Sequence, residues 1–337
     1  PAAYDYYAGG ADDEVTLRAN EEAWRRIRLL PHVLRDVSTV DTTTEVLGAS
    51  LAAPILIAPM AAQKLAHPDG ECAMARAAAA TGTVLVVSTM ATTSLEDVAA
   101  AAPGGHRWFQ FYCHRDRGLS ADLLRRAQAA GYRAVVLTVD VPVLSRRRRD
   151  EANRFDLPEG MRMENVAVSL RSMHGSALAE YTNAAFDPRL TPDDLGWIAS
   201  IVDLPVLVKG VLRPDDARRA VDAGAAGVIV SNHGGRQLDG AIASADALSA
   251  ISAAVGDRVP VLVDGGIRGG ADVLKALALG ASAVLVGRPF LWGLAVGGAD
   301  GAAAVMTELT EELVRTMALC GVTTVDEIDR DLLAVVP

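Results

Sequence analysis

His233 and Arg236 stand three residues apart in the stretch Val-Ile-Val-Ser-Asn-His-Gly-Gly-Arg-Gln-Leu-Asp at 228–239. An imidazole is the side chain best suited to move a proton near neutral pH. A guanidinium is the best partner for a planar carboxylate. Side by side they fit removal of hydrogen from a carbon next to a carboxylate. A capped strand end with a structural histidine is the plainer reading, and the rest of the chain weighs against it. Other short apolar runs also end in groups able to bond a ligand. These are Pro59, Met60 and Ala61, then Ser88, Gln110 with Tyr112, Thr138 with Asp140, Lys209, Asp264 with Gly266 and Arg268, and Gly287 with Arg288. Lys209 closes an apolar run, where an ammonium is costly unless it meets an anion or a polar ligand. A Schiff-base role would suit such a lysine, but its company of His233, Arg147 and Arg236 favours redox chemistry on an acid. Gly-Gly-Ile-Arg at 265–268 and Gly-Arg at 287–288 combine close backbone approach with positive charge, a pattern that fits a phosphate.

These groups need strands to position them. Apolar, β-branched runs recur at 54–58, 84–88, 108–112, 134–139, 205–209, 227–231, 260–264 and 283–287. Stretches at helical spacing separate most of them, and Gly82, Gly131, Gly224 and Gly280 mark helix ends. Eight β-α repeats with strands apolar on both faces predict an α/β fold, and eight strands close a (β/α)8 TIM barrel. A doubly wound sheet would carry Gly-x-Gly-x-x-Gly after its first strand, and this chain has Ala-Pro-Met-Ala at 58–61. In a barrel the C-terminal strand ends share one mouth. The expected organisation is a single domain over 1–337, with a helical extension over 1–50 and the barrel over 51–337. The extension should hold a polar helix over 11–30, acidic early (Asp12, Asp13, Glu14) and basic late (Arg25, Arg26, Arg28). The interval 146–191, after the fourth strand, is too long for an ordinary connection and reads as a lid opening on the basic run at 146–149.

A net charge of −10 argues against a nucleic-acid surface, while local arginines can still draw a small anion into a pocket. Cys72, Cys113 and Cys320 form neither a disulfide framework nor a metal-ligand pattern, which points to a reducing, cytoplasmic setting. No apolar run reaches about 18 residues and no signal peptide is visible, so no membrane association is expected.

The markers Tyr-Asp-Tyr-Tyr at 4–7, Ala-Pro-Met-Ala at 58–61, Phe-Gln-Phe-Tyr at 109–112, Leu-Thr-Val-Asp at 137–140, Leu-Val-Lys-Gly at 207–210, Ser-Asn-His-Gly-Gly-Arg-Gln-Leu-Asp at 231–239, Asp-Gly-Gly-Ile-Arg at 264–268 and Gly-Arg-Pro at 287–289 cover almost the whole chain. Together they resemble the FMN-dependent α-hydroxy acid oxidase and dehydrogenase family, which includes glycolate oxidase, lactate oxidase and mandelate dehydrogenase. The resemblance implies bound FMN, with Gly266, Arg268, Gly287 and Arg288 on its phosphate and Asp264 on its ribityl chain. Pro59, Met60, Ala61, Ser88, Gln110 and Thr138 would face the ring, and Lys209 would stand at its N1/O2 edge. On the substrate side it implies Arg236 and Arg147 on the carboxylate with the Tyr6 hydroxyl, Tyr112 on the substrate hydroxyl, and His233 taking a proton with Asp140 behind it. The family's small-acid oxidases often carry tryptophan two residues after the Ser88 position, where this chain has Met90. The thioether leaves more room, so an aryl 2-hydroxy acid such as mandelate or 4-hydroxymandelate is expected. The product would be the 2-keto acid, with molecular oxygen reduced to hydrogen peroxide. The interval 156–189 is mixed and lacks an apolar anchoring plate, unlike the family's membrane-bound members. The resemblance further implies a homo-oligomer, a tetramer. Three alternatives stay open from the residues: a soluble dehydrogenase with another acceptor, a non-redox isomerase or aldolase on a phosphorylated substrate, and a non-catalytic FMN scaffold. The purified protein should be yellow, and its flavin bands should bleach on addition of (S)-mandelate. A colourless protein would turn the assignment toward the isomerase or aldolase.

Overall fold

The computed structural model describes residues 1–166, 181 and 183–334. Eight apolar runs form strands because each is buried on both faces and so needs neighbours in the sheet and layers on either side. They are β3 (Ile55–Ile57), β4 (Val84–Ser88), β5 (His106–Phe111), β6 (Val135–Thr138), β7 (Val206–Val211), β8 (Gly227–Val230), β9 (Val261–Asp264) and β10 (Ala283–Val286). All pair in parallel, and β10 returns to β3 with Val284 opposite Ile55, so the barrel is closed. One alternating set, including Leu56, Val86, Trp108, Val136, Leu207, Ile229, Leu262 and Leu285, fills the interior. The other set, including Ile57, Val87, Phe111 and Val263, meets the surrounding helices.

Those helices are α3 (Gly70–Ala80), α4 (Leu95–Ala101), α5 (Arg117–Ala129), α7 (Asp193–Ala199), α8 (Pro214–Asp222), α9 (Ser244–Val255), α10 (Gly270–Ala278) and α11 (Arg288–Cys320). Local chemistry fixes several starts. Ser94 accepts from Asp97 N, Asp116 accepts from Leu119 N, and Pro214 opens α8. The four glycines expected at helix ends all take positive φ. Among the described residues, α11 is the one helix long and apolar enough to cross a bilayer. It is broken at Gly297 and Gly298 and packs along α3 and α10.

The N-terminal extension differs from expectation. A first helix, α1 (Ala2–Ala8), precedes α2 (Val15–Arg26), which is shorter than 11–30. Asp12, Asp13 and Glu14 lie before it because Asp12 and Glu14 take positive φ. Its start is capped from far along the chain by Asp239, which accepts from Thr16 N in the first turn at 2.8 Å and from Asp13 N just before the helix at 3.1 Å. Ile27 is extended, so Arg28 lies beyond its end. A hairpin of β1 (Thr44–Val46) and β2 (Ala49–Leu51) was not anticipated. Its turn places Leu47 at φ 50° and Gly48 at φ 73°, and a leucine there hides the Asn-Gly type of signal such turns usually carry. Val46, Ala49 and Leu51 join the interior cluster beside Val84, Ala134 and Ala283, which lie where strands begin, so the hairpin plugs the N-terminal end of the barrel.

The expected lid begins with α6 (Arg148–Ala152) and ends where Phe186 bridges His114. Its middle, 167–180 with 182, lies outside the described residues. Leu51→Ala should destabilise the fold by about 3 kcal/mol, as loss of a buried leucine usually does. Urea unfolding followed by tryptophan fluorescence checks this.

Candidate active site

Every site residue singled out in the sequence except Asp140 lines one cleft at the C-terminal ends of the strands. Asp140 sits directly behind it. The strand β8 ends at Val230, and the chain then turns through His233 at φ 61°, Gly234 at 64° and Gly235 at 75°. Ser231 Oγ accepts from His233 N at 3.0 Å. His233 Nδ1 lies 2.9 Å from Asp140 Oδ1, and Nε2 lies 3.4 Å from the Tyr112 hydroxyl. With Nδ1–H donated to the carboxylate, Nε2 carries the lone pair that faces the cleft. Burial pushes the imidazole below its ordinary pKa, and Lys209 and Arg147 push the same way against the pull of Asp140. The histidine is therefore neutral near pH 7. Burial alone would raise the Asp140 carboxyl, but the charge and hydrogen bond of His233, with Lys209, hold it below the usual range.

Three guanidiniums gather on one side. Arg236 donates from Nη1 to the carbonyls of Tyr6 and Gly9, at 2.7 and 2.8 Å, and lies over the Tyr6 ring. Arg288 donates to the carbonyls of Tyr7, Gly234 and Gly9 at 2.9–3.1 Å. Those three bonds leave two of the five N–H groups of Arg288 for a ligand. Arg147 Nε is buried without a hydrogen-bond partner among the described residues. Burial first, then the other guanidiniums, lower Arg236 to about 10 and Arg288 to about 9. Like charges this close call for an anion.

The surroundings of Lys209 are built differently. Lys209 Nζ pairs with Asp264 Oδ2 at 3.0 Å and donates to Ser231 Oγ at 2.9 Å. Burial works against its charge, but Asp264 and Asp140 outweigh it and raise the ammonium. Asp264 Oδ1 is buried without a partner among the described residues. Gln110 Oε1 accepts from Ser88 Oγ and Thr89 N, both at 3.2 Å, and its Nε2 donates to Thr138 Oγ1 at 3.1 Å. That ladder fixes the amide's orientation. Arg268 is already engaged with Glu21 at 2.9 Å and with the carbonyl of Ile267.

The chain matches the FMN-dependent dehydrogenase family over residues 1–335. It belongs to that family. An L-lactate oxidase from Nostoc sp. is 52% identical, with 98% of this chain and 93% of that protein aligned. Glycolate oxidase 3 of Oryza sativa subsp. indica is 49% identical over 97% of this chain and 90% of its own length. A crystal structure of mandelate oxidase with (S)-4-hydroxymandelic acid superposes with a TM-score of 0.93 at 46% identity, covering 99% of this chain and 94% of that one. Membership in this family makes the protein an FMN-dependent oxidoreductase and removes the non-redox isomerase or aldolase.

The cleft fits FMN by its own chemistry. The orphaned Asp264 Oδ1 needs a donor such as a ribityl hydroxyl. Arg268 and Arg288, beside Gly266 and Gly287, suit a phosphate. The ordered amide of Gln110 and the Lys209 ammonium suit the polar edge of an isoalloxazine ring.

Some functional positions carried no clear signal. Phe186, from the long interval, stacks on Tyr112 with ring centroids 4.4 Å apart. Phe155 stacks on Tyr6 at 4.5 Å. Gln237 donates to the carbonyls of Asp140 and Val143 at 2.9 and 3.0 Å, tying the ends of β6 and β8 together. Only Gln237 lay in a motif already quoted; the two phenylalanines sit in a stretch without periodicity. Because the cleft holds like charges unneutralised, FMN at 100 times its Kd should stabilise the apoprotein by about 2.7 kcal/mol. Riboflavin, which lacks the phosphate, should do far less. Thermal unfolding of apoprotein with each ligand tests this.

Proposed function

We propose that this protein oxidises an aryl 2-hydroxy acid to the 2-keto acid and passes the electrons to oxygen, giving hydrogen peroxide. The observation that carries this reading is His233 itself. Its Nε2 lone pair faces the cleft beside the Tyr112 hydroxyl, its Nδ1 is held by a buried carboxylate, and Arg147 and Arg236 stand next to it. Bound FMN supplies the two-electron oxidant. The chain's own residues do the rest. Arg147 and Arg236 bind the substrate carboxylate, and the neutralised charges secure it. The Tyr6 ring, wedged between Phe155 and Arg236, holds that guanidinium in place. Tyr112, kept protonated by burial, donates to the substrate hydroxyl or to the forming ketone. Nε2 of His233 accepts a proton, and Asp140 stabilises the imidazolium that results. Lys209, charged although buried, offers its N–H donors to the polar edge of the bound ring.

The aryl preference rests on Met90, buried in the cleft wall where a bulkier ring would narrow it, and on likeness to mandelate oxidase. The oxidase reading rests on relatives named lactate, glycolate and 2-hydroxyacid oxidases. Steady-state kinetics with glycolate, lactate and both mandelate enantiomers should favour (S)-mandelate; equal or better turnover of glycolate overturns the aryl preference. Oxygen uptake should keep pace with dye reduction, and fast dye reduction without uptake would make the protein a dehydrogenase.

His233→Ala should lower turnover by at least about 100-fold while the protein stays yellow. The reaction needs the neutral imidazole, so rate is lost as pH falls through its pKa. Since that pKa is depressed below 6.5, kcat/KM should hold its plateau to below pH 6.5 before falling. A limb above that value contradicts the assignment of His233 as base.

A further inference from the structure

His233 is held in a left-handed backbone conformation, uncommon for a residue that carries a Cβ. Three successive residues, His233, Gly234 and Gly235, lie in the left-handed region, and a side chain there is strained unless the surroundings over-determine it. The surroundings begin with Asn232. Its Oδ1 accepts from Gly235 N at 3.1 Å, bracing the turn from inside. The same Oδ1 accepts from Asn20 Nδ2 at 2.8 Å, and Asn232 Nδ2 donates back to Asn20 Oδ1 at 2.7 Å. Asn232 Nδ2 also donates to the carbonyl of Ile242, and Asn20 Oδ1 accepts from Ser244 N. The two amides are thus reciprocally paired, and at 2% and 4% exposure they are closed to water. Neither lines the cleft.

Asn20 belongs to α2, outside the barrel and 212 residues away in sequence. The same face of α2 presents Leu17, Glu21 and Trp24, at the spacings that share a helix face. A Cβ on Gly235 would stand 2.6 Å from Leu17 N and Cα, and one on Gly266 would overlap the carbonyl of Asn20. Trp24 Nε1 donates to the carbonyl of Gly265 at 2.8 Å. One helix face is therefore pressed on two turns, that of His233 and that of Gly265 and Gly266.

We propose that Asn20 is a positioning residue: paired with Asn232, it fixes the left-handed turn that aims His233 into the cleft, while Trp24 on the same face fixes the Gly265 turn. This rests on the function proposed above. Removing either amide strands the other half of a buried pair, which favours relaxation of the turn. A relaxed turn costs reaction geometry rather than substrate affinity.

The test uses holoenzyme and anaerobic reduction of the bound flavin by (S)-mandelate. Asn20→Ala should slow the limiting reduction rate by about tenfold or more, with KM changed by less than about threefold. His233, facing Asp140, Lys209, Arg147 and Tyr112, would gain access to water, so the acidic limb of kcat/KM should move up toward the ordinary histidine value. A purely structural loss would scale the profile without moving that limb. Asn232→Ala should behave alike, and the double variant should be no slower than the slower single one. Trp24→Phe should instead weaken FMN by about fivefold, read by the recovery of free-flavin fluorescence, and leave the pH profile alone. If Asn20→Ala yields no folded protein, Asn20→Asp, which keeps the accepted bonds, takes its place with the same expected shift. Unchanged rate and limb, or additive losses in the double variant, overturn the latch. A wild type whose flavin no 2-hydroxy acid reduces overturns the function instead, and the latch with it.

Discussion

Several cationic side chains share one cleft, and the molecule is organised around that constraint. Lys209 has an internal counter-charge in Asp264. Arg236 and Arg288 have backbone carbonyls, and Arg147 Nε has no hydrogen-bond partner among the described residues. A guanidinium can donate to carbonyls at modest cost, but carbonyls do not cancel its charge. The cleft therefore holds cations of two kinds. One is balanced and braced by Ser231 and Asp264; the other is left short of negative charge. A carboxylate and a phosphate are the anions that the chemistry of this family brings. Near neutrality the histidine stays uncharged because burial disfavours its charged form and Lys209 and Arg147 push the same way.

Such a concentration of charge needs a stiff support. The barrel provides it by fixing the origins of the groups: β6 delivers Asp140, β7 delivers Lys209, β8 delivers the His233 turn, and β9 delivers Asp264. The apolar alternation of these strands commits their backbones to the sheet, so the polar ends cannot retreat into it. Gln237 then ties the end of β6 to the loop after β8, which holds the carboxylate and the imidazole at their 2.9 Å separation. Helix α6 is likewise pinned to the N-terminal extension, through Arg149 with Glu14 and Asp5. Exposed pairs of this kind add little stability singly; their service here is to set where Arg147 stands.

Much of this was legible in the sequence. A run of apolar, β-branched residues announces a strand, and the first polar residue after it announces the mouth of the barrel, which places Ser88, Gln110, Thr138, Lys209, His233 and Asp264 there from sequence alone. What stayed hidden depends on contacts between distant segments. The start of α2 is set by Asp239, which no local pattern reveals. The hairpin turn uses Leu47 where sequence rules expect Asn or Gly. Phe186 enters the site because a short antiparallel bridge to His114 places it there, in a stretch with no period of its own. Asn20 looked like one polar residue among many on a polar helix, and only its partner gives it meaning.

The pairing of Asn20 with Asn232 has a consequence for how the molecule comes into being. During synthesis α2 emerges early, while the turn it clasps emerges more than 200 residues later. Until then the helix has nothing to receive Leu17 and Trp24, and the nascent barrel has no brace for its strained loop. Closing so long a stretch of chain is entropically unfavourable and comes late in assembly. A helix made early and a turn made more than 200 residues later meet beside the cleft, and a nascent chain that stops short of β8 lacks the His233 turn.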